Sequence, residues 1–321
     1  MYSSEPLSII LATPRGFCAG VERAIDIVEQ ALLLYGPPIY VRNEIVHNQW
    51  VVADLRAKGV VFVKHIEEIP DGGITIFSAH GISEKVENEA GLRDLPVIDA
   101  TCPLVTKVHN QAKRYEREGY EIILIGHEGH PEVEGTSGRV ARVHLVPDAA
   151  SVATLQVDDP EKLAYVTQTT LSVDDTKKII DALVARFPSI HGPDTRDICY
   201  ATQNRQNAVR ELAAQVDLLL VIGSKNSSNS NRLRDLGAEM GIVAYLIDDE
   251  TGIDAQWLDG IARVGITAGA SAPELLIERV IRYLETLRPV TRLPFNGIEE
   301  DVKFNLPPEV RHRPFTDRLK A

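Results

Sequence analysis

Three cysteines are the residues of this sequence best suited to redox or metal chemistry: Cys18, Cys102 and Cys199. They lie far apart and none belongs to a CxxC pair, so the pattern disfavours a disulfide scaffold and a zinc ribbon. Judged by composition alone, three inert buried cysteines are an equally good interpretation. The sequence around each cysteine is therefore needed to choose between a metal or redox site and three inert cysteines.

Three thiols that met at one point could hold an iron–sulfur cluster. A cubane cluster normally has four cysteine ligands. With three, one iron keeps an open position, and an open position is where a substrate binds in catalytic metal sites. The alternative is a structural zinc ion bound by the cysteines and one histidine. Because the cysteines are isolated from one another, a site shared between separate units fits better than a local zinc clip.

A threefold internal repeat surrounds these cysteines. Each follows a short apolar run, typical of a buried strand, and precedes a segment with apolar residues at helical spacing, for example Val21, Ala24 and Val28. A second apolar run then ends in a polar loop. This loop places one polar residue 28 or 29 positions after each cysteine: His47, His130 and Ser227.

A further strand of each repeat also ends in polar residues. The polar residues are His80, Thr169 and Ser271, in the segments GITIFSAHG, KLAYVTQTT and RVGITAGASAP respectively. Helix-start signals follow two of them, at Ser172 and at Ser271. Because strands that alternate with helices form parallel sheets, whose ligands bind beyond the carboxyl ends of the strands, each repeat is expected to present a cysteine and two polar loops on one edge.

We therefore expect an α/β fold of three similar units with mostly parallel sheets, arranged with pseudo-threefold symmetry around a central cluster site. The units span residues 1–100, 101–197 and 198–287, and each has the size of a small domain. Residues 288–321 are punctuated by prolines and are expected to form a tail that wraps the body.

Two segments have the pattern of anion sites. The run GSKNSSNSNRL follows a buried strand and precedes a helix, so it places backbone N–H groups and hydroxyls where phosphate binds well. Ser271, before the helix APELLIERVIRYL, marks a second such site. A flexible polar linker is the alternative interpretation of the Ser/Asn-rich run, but its place between a strand and a helix favours an anion pocket.

Several functions are disfavoured by the sequence. In HEGHPEVEG the histidines are three residues apart rather than four, and Gly129 and Pro131 would interrupt the helix that a zinc protease needs. The absence of a P-loop and of a dinucleotide fingerprint argues against nucleotide hydrolysis and hydride transfer. A net charge of −12 would repel nucleic acid. No basic leader or long apolar stretch is present, so we expect a cytoplasmic protein that does not bind membranes.

The motifs together resemble those of the 4-hydroxy-3-methylbut-2-enyl diphosphate reductase family of the non-mevalonate isoprenoid pathway. The resemblance covers nearly the whole chain and is carried by PRGFCAGVERAI, EIVHN, FSAHG, DATCPLV, GHEGHPEVEGTSG, TQTTLSVDDT, DICYATQNRQ, GSKNSSNSNRL and GITAGASAP. The tail segment GIEEDVKFNLPPEVR is also similar to the family.

The resemblance implies a role for each matching residue. Cys18, Cys102 and Cys199 would bind one 4Fe-4S cluster. Glu132 would donate a proton, and Thr169 would help to place the substrate hydroxyl. The substrate diphosphate would be bound by His47, His80, His130, Ser227, Ser228, Asn229 and Ser271. The remaining histidines, His109 among them, are expected to be ordinary surface or core residues.

The implied reaction removes the hydroxyl group of (E)-4-hydroxy-3-methylbut-2-enyl diphosphate, with two electrons and two protons, and gives isopentenyl and dimethylallyl diphosphate. The hydroxyl would bind the open iron, and the electrons would come from a protein such as a flavodoxin or ferredoxin. Two alternatives stay open. An iron–sulfur hydro-lyase would use an open iron without net reduction, and an iron–sulfur carrier or sensor would not need the anion-binding residues.

Overall fold

Strands and helices alternate along the chain in the computed structural model, which describes residues 6–193 and 197–311. The strands are β1 (Leu7–Leu11), β2 (Ile39–Arg42), β3 (Val60–Val63), β4 (Thr75–Phe77), β5 (Val97–Asp99), β6 (Glu121–Ile125), β7 (Val143–Val146), β8 (Leu163–Thr167), β9 (Leu218–Ile222), β10 (Val243–Ile247), β11 (Arg263–Ala268) and β12 (Val290–Leu293). The helices are α1 (Ala19–Tyr35), α2 (Gln49–Ala57), α3 (Glu84–Leu92), α4 (Pro103–Arg117), α5 (Pro131–Ser137), α6 (Ala149–Val152), α7 (Val173–Arg186), α8 (Tyr200–Ala213), α9 (Ser228–Glu239), α10 (Glu274–Leu287) and α11 (Pro308–Arg311).

These strands form three sheets within the described residues. Their orders are β10-β9-β11-β1-β12, β3-β2-β4-β5 and β7-β6-β8. Neighbouring strands pair in parallel in all three. The predicted α/β fold class with parallel sheets is confirmed, and it follows from the helix that separates most successive strands.

The chain divides into two compact units. The first, here called unit 1, contains the segments up to Ala19, His47–Ala53 and Tyr200–Val302, and it holds the five-stranded sheet. The second, unit 2, contains Gly20–Val46, Asp54–Cys199 and the segment from Lys303 onward, and it holds the other two sheets.

The segment before each cysteine pairs with the sheet of another repeat. β5, before Cys102, pairs with β4. Before Cys199, His191 forms a parallel bridge to Ala164 of β8. β1, before Cys18, pairs with β11 of the last repeat. The amino-terminal strand thus completes the last sheet, while β12 of the segment after Arg288 pairs with the other edge of β1. The rest of the expected tail runs into residues 312–321, which lie outside the described residues.

Central strands are buried on both faces. All residues of β6, β8 and β9 are buried, as expected for parallel strands covered by helices on each side. In unit 1, side chains of β9, β11 and α10 form one apolar cluster that includes Leu220, Ile266 and Ile277. Among the described residues, no helix is both long and apolar enough to cross a membrane.

Local signals explain most helix starts, with one correction. Ser172 caps α7 by accepting the N–H of Asp175, as its spacing predicts. The expected start at Ser271 is wrong, because α10 begins at Glu274 and its cap position is Pro273. The hydroxyl of Ser271 instead donates to the carbonyl of His47 (2.8 Å).

Candidate functional site

Each cysteine is held in the same local geometry. Helices α1, α4 and α8 begin at the residue after Cys18, Cys102 and Cys199 respectively. The backbone N–H of each cysteine donates to a carbonyl in the loop that follows a strand of the same unit: Cys18 to Ala270 (3.2 Å), Cys102 to Ala79 (3.0 Å) and Cys199 to Thr169 (3.0 Å). The repeat seen in the sequence is therefore a repeat in the backbone that presents the thiols.

The chemistry of these thiols fits an iron–sulfur ligand set. All three cysteines lie in the described residues, none forms a disulfide, and each is partly exposed. A helix N-terminus favours the thiolate, which is the form that binds iron. Among the described residues, no three His, Cys, Asp or Glu side chains have the spacing of ligands to a single metal ion. The cysteines of a cluster bind different iron atoms and do not need that spacing.

Glu132 lies in the first turn of α5. Pro131 occupies the first position of this helix, where its missing N–H costs no hydrogen bond. Both oxygens of the Glu132 carboxyl group accept from Thr169: Oε1 from the backbone N–H (2.6 Å) and Oε2 from the hydroxyl (2.9 Å). Glu132 is 3% exposed, so it is no solvated surface carboxylate.

Burial raises the pKa of Glu132 to about 7, although the hydrogen bonds from Thr169 oppose that rise. The nearby carboxylate of Asp197 raises it further. Asp197 is itself buried, and burial raises its pKa against the opposing charge of Lys107, whose Nζ lies 3.3 Å from Oδ1. A carboxyl group with a pKa near 7 can both bind and release a proton at neutral pH.

Two predicted histidines lie beside each other in unit 2. The rings of His80 and His130 meet edge to face, with centroids 5.9 Å apart. Nδ1 of His130 caps α5 by accepting the N–H of Glu132 (3.1 Å). In its neutral form His130 therefore carries its proton on Nε2, where it can donate to an anion.

The predicted anion-binding residues of unit 1 are linked by hydrogen bonds. Ser227 caps α9 by accepting the N–H of Ser230 (3.2 Å), and Ser228 and Asn229 form the first turn. Oδ1 of Asn229 accepts the N–H of Ala270 (2.9 Å), next to Ser271. The positive end of the α9 dipole and the N–H groups of its first turn suit a phosphate group.

His47 joins this group from another segment of the chain. Its carbonyl accepts from Ser271, and its Nδ1 lies 3.4 Å from Nδ2 of Asn226. The predicted site residues thus divide between the units. Unit 1 holds Cys18 with His47, Ser227, Ser228, Asn229 and Ser271, and unit 2 holds Cys102 and Cys199 with His80, His130, Glu132 and Thr169.

Three residues at the site were missed by sequence reasoning: Asp197, Tyr200 and Arg205. All three flank Cys199 in the chain, which was the available signal. The hydroxyl oxygen of Tyr200 accepts the N–H of Ala19 (3.3 Å). Burial, together with the nearby Cys18, raises the pKa of Tyr200, so its phenol stays protonated. Nothing in the sequence showed that Arg205 would be buried completely.

The chain is similar to known proteins over nearly its whole length. A family model described as LytB protein matches residues 9–285. A protein of Rhodopseudomonas palustris named 4-hydroxy-3-methylbut-2-enyl diphosphate reductase 1 is 60% identical over 94% of this chain and 99% of its own. One of Acinetobacter baylyi named 4-hydroxy-3-methylbut-2-enyl diphosphate reductase is 57% identical over 95% of this chain and 98% of its own.

Solved structures agree with these sequence matches. The E-1-hydroxy-2-methyl-but-2-enyl-4-diphosphate reductase of Plasmodium falciparum superposes with a TM-score of 0.91 at 37% identity, over 99% of this chain and all of that one. A structure of (E)-4-hydroxy-3-methyl-but-2-enyl diphosphate reductase matches with a TM-score of 0.62 at 34% identity, over 87% of this chain and 99% of that one.

Proposed function

Because the chain belongs to the LytB protein family, we propose that it reduces (E)-4-hydroxy-3-methylbut-2-enyl diphosphate to isopentenyl diphosphate and dimethylallyl diphosphate. The C–O bond of the hydroxyl group breaks, two electrons and two protons are taken up, and the oxygen leaves as water. Relatives with this name, at 57–60% identity over nearly their full length, support the activity. The buried pair of Glu132 and Thr169 is the observation that carries the chemistry.

The cofactor proposed for this reaction is one 4Fe-4S cluster bound by Cys18, Cys102 and Cys199. The shared backbone geometry of the three cysteines and their places at helix starts support this ligand set. When bound, the cluster supplies the electrons and an iron without a protein ligand that polarises the substrate hydroxyl. With three cysteines as ligands, the protein leaves that iron accessible.

Glu132 is the proposed proton donor, and Thr169 passes its proton on. With a pKa of about 7, the Glu132 carboxyl group is protonated in a large fraction of molecules at neutral pH. Its O–H then donates to Oγ1 of Thr169, and the Thr169 hydroxyl donates to the departing oxygen of the substrate. Exclusion of water around Glu132, which is 3% exposed, directs its proton to this one partner.

The diphosphate group is proposed to bind two sets of donors. In unit 1 these are His47, Ser227, Ser228, Asn229 and Ser271, which surround the start of α9. In unit 2 they are His80 and His130, and the tautomer of His130 places a donor on Nε2. Because the chain lacks a dinucleotide motif, the proposed electron donor is another protein, such as a flavodoxin or ferredoxin.

An anaerobic assay with the hydroxylated diphosphate tests this function. We expect both products when a reduced one-electron donor is supplied, and no turnover without it. Product formed without electrons would instead indicate a hydro-lyase, and no turnover in either arm, with iron bound, would indicate a carrier or sensor. Protein purified without oxygen should be coloured and contain iron. An active, colourless preparation with bound zinc would contradict the cluster.

A further inference from the structure

Arg205 is a fully buried arginine on α8, six residues after Cys199. A buried guanidinium is costly unless its donors are all hydrogen-bonded. Arginine has five N–H donors, and the contacts of this side chain account for every one of them. A side chain buried at such a cost, and satisfied so completely, has a specific task in the fold.

Its acceptors are backbone carbonyls of the loop that precedes Cys18. Nε and Nη2 both donate to the carbonyl of Gly16 (3.1 and 2.7 Å), and Nη2 also donates to that of Phe17 (3.2 Å). Nη1 donates to the carbonyl of Ala201, one turn earlier on α8 (3.0 Å). The guanidinium thus ties the residue before Cys18 to the first turn of α8.

Gly16 shows why the loop needs such an anchor. Its φ of +65° lies in the left-handed region, and a Cβ there would come within 3.0 Å of the carbonyl of Ala272. The N–H of Gly16 donates to Ala268 at the end of β11 (3.1 Å). The loop therefore makes a sharp turn between β1 and α1, and Arg205 holds the carbonyls that this turn exposes.

The C-terminal segment completes the arrangement. Both carboxylate oxygens of Glu300 accept from Nη1 of Arg205 (3.1 and 3.2 Å), and Oε1 also accepts from Asn204 (3.0 Å). The buried guanidinium of Arg205 neutralises the charge of Glu300, and the Glu300 side chain is 13% exposed. Gly297 packs so closely against Thr13 that a Cβ would lie 2.0 Å from its carbonyl oxygen.

We propose that Arg205, held in place by Glu300, is a positioning residue that fixes the Cys18 loop (residues 13–18) in the conformation from which Cys18 binds the cluster. The cluster part of this inference rests on the proposed function, whereas the anchoring of the loop does not. Glu300 acts through Arg205, so the C-terminal segment supports the Cys18 loop by this contact.

Hydrogen exchange of the full-length, anaerobically purified protein tests the anchoring. In Glu300→Ala, the peptide covering the Cys18 loop should exchange about tenfold to a hundredfold faster. The reason is that loss of a hydrogen bond to a charged group destabilises the closed loop by a corresponding free energy. Glu299→Ala is the matched control, since it removes the same charge from an exposed neighbour. Equal exchange of this peptide in the two variants, at unchanged protection of β9, would overturn the proposal.

Iron release to a chelator tests the link to the cluster. Glu300→Ala and Arg205→Lys should both lose iron faster than Glu299→Ala, and Arg205→Lys more so, because lysine keeps the charge but cannot reach several carbonyls in a fixed plane. Should Arg205→Lys fail to fold, Glu300→Gln provides a milder second variant with an intermediate rate. Iron release at the control rate with a loosened loop would show that Cys18 is not positioned in this way. A wild-type protein without iron would refute the proposed function and leave the exchange test intact.

Discussion

At the scale of single residues, the proposed reaction depends on a carboxyl group that can be protonated at neutral pH. Glu132 meets that need through burial, which raises its pKa to about 7, and through two hydrogen bonds that fix its orientation toward Thr169. Neither feature can be read from the sequence around it, since Thr169 lies 37 residues away in the chain.

Glu132→Gln should retain iron and substrate affinity but lose turnover by about a hundredfold to ten-thousandfold, because an amide cannot donate an acidic proton. Steady-state kinetics under anoxia, with iron analysis of the same samples, measure both effects. Glu134→Gln is the matched control, since Glu134 is exposed two positions further along α5. Near-normal turnover in Glu132→Gln would place the proton donor elsewhere.

The pH dependence of kcat follows from the same group. Because Glu132 is the proposed proton donor, turnover should fall as the pH rises through about 7, where the carboxyl group loses its proton. This alkaline limb should be absent from the residual activity of Glu132→Gln. A limb that persists unchanged in that variant would belong to another group.

We expect His109 to make the stability of the folded protein depend on pH. It is 5% exposed, its Nε2 is buried without a hydrogen-bond partner among the described residues, and burial lowers its pKa to about 4. The unfolded chain therefore binds the proton first as the pH falls, and stability is lost between pH 6.5 and 4.

Replacing His109 by glutamine should remove up to about 3 kcal/mol of this acid sensitivity, since one pKa unit corresponds to about 1.4 kcal/mol. Denaturant titrations at a series of pH values measure the effect. The exposed His65 offers a control, and His65→Gln should keep the acid sensitivity of the parent. Equal pH profiles for both variants would contradict the role of His109.

At the scale of elements, the sequence predicted the repeat well and the helix boundaries less well. The strands and the polar loops after them lie where the apolar runs and their spacing placed them. One local feature was misjudged. Ser271 was taken for a helix cap, although its hydroxyl donates to the carbonyl of His47. That outcome depends on a contact distant in sequence.

Variants at two helix caps can distinguish an effect on diphosphate binding from an effect on the stability of the protein. Ser227→Ala should cost about 1 kcal/mol through the lost cap, and it should also raise KM because the start of α9 is the proposed diphosphate site. Asp148→Ala removes the equivalent cap of α6, where Asp148 accepts the N–H of Ser151. That variant should lose similar stability with KM unchanged. Kinetics and thermal unfolding of both distinguish the two effects, and an unchanged KM in Ser227→Ala would argue against α9 as a phosphate site.

At the scale of the whole molecule, each repeat supplies one cysteine in one shared backbone setting. The prediction is that Cys18→Ser, Cys102→Ser and Cys199→Ser each lose most of the bound iron and of the turnover, to a similar degree. Iron analysis and visible absorption of protein purified without oxygen measure this. A cysteine that can be replaced without loss of iron would not be a ligand.

Parallel sheets and the repeat order were predictable from the sequence because they follow from local periodicity. The exchange of strands between repeats could not be predicted from the sequence. An apolar run such as Leu7–Leu11 carries no signal for its partner, and β1 pairs with β11 and β12 from the other end of the chain. Pairing of this kind depends on contacts between segments that lie far apart in the chain.

The place of β1 has a consequence for folding during synthesis. The two sheets of unit 2 contain strands that leave the ribosome in close succession, and β2–β5 are complete by Asp99. β1 emerges first but cannot pair until β11 has been made, and at about 5–20 residues per second this delay lasts on the order of tens of seconds. The Cys18 loop, whose backbone bonds reach Ala268 and Ala270, is therefore among the last parts of the chain to form. The proposed cluster would therefore be inserted only after nearly the whole polypeptide has been synthesised.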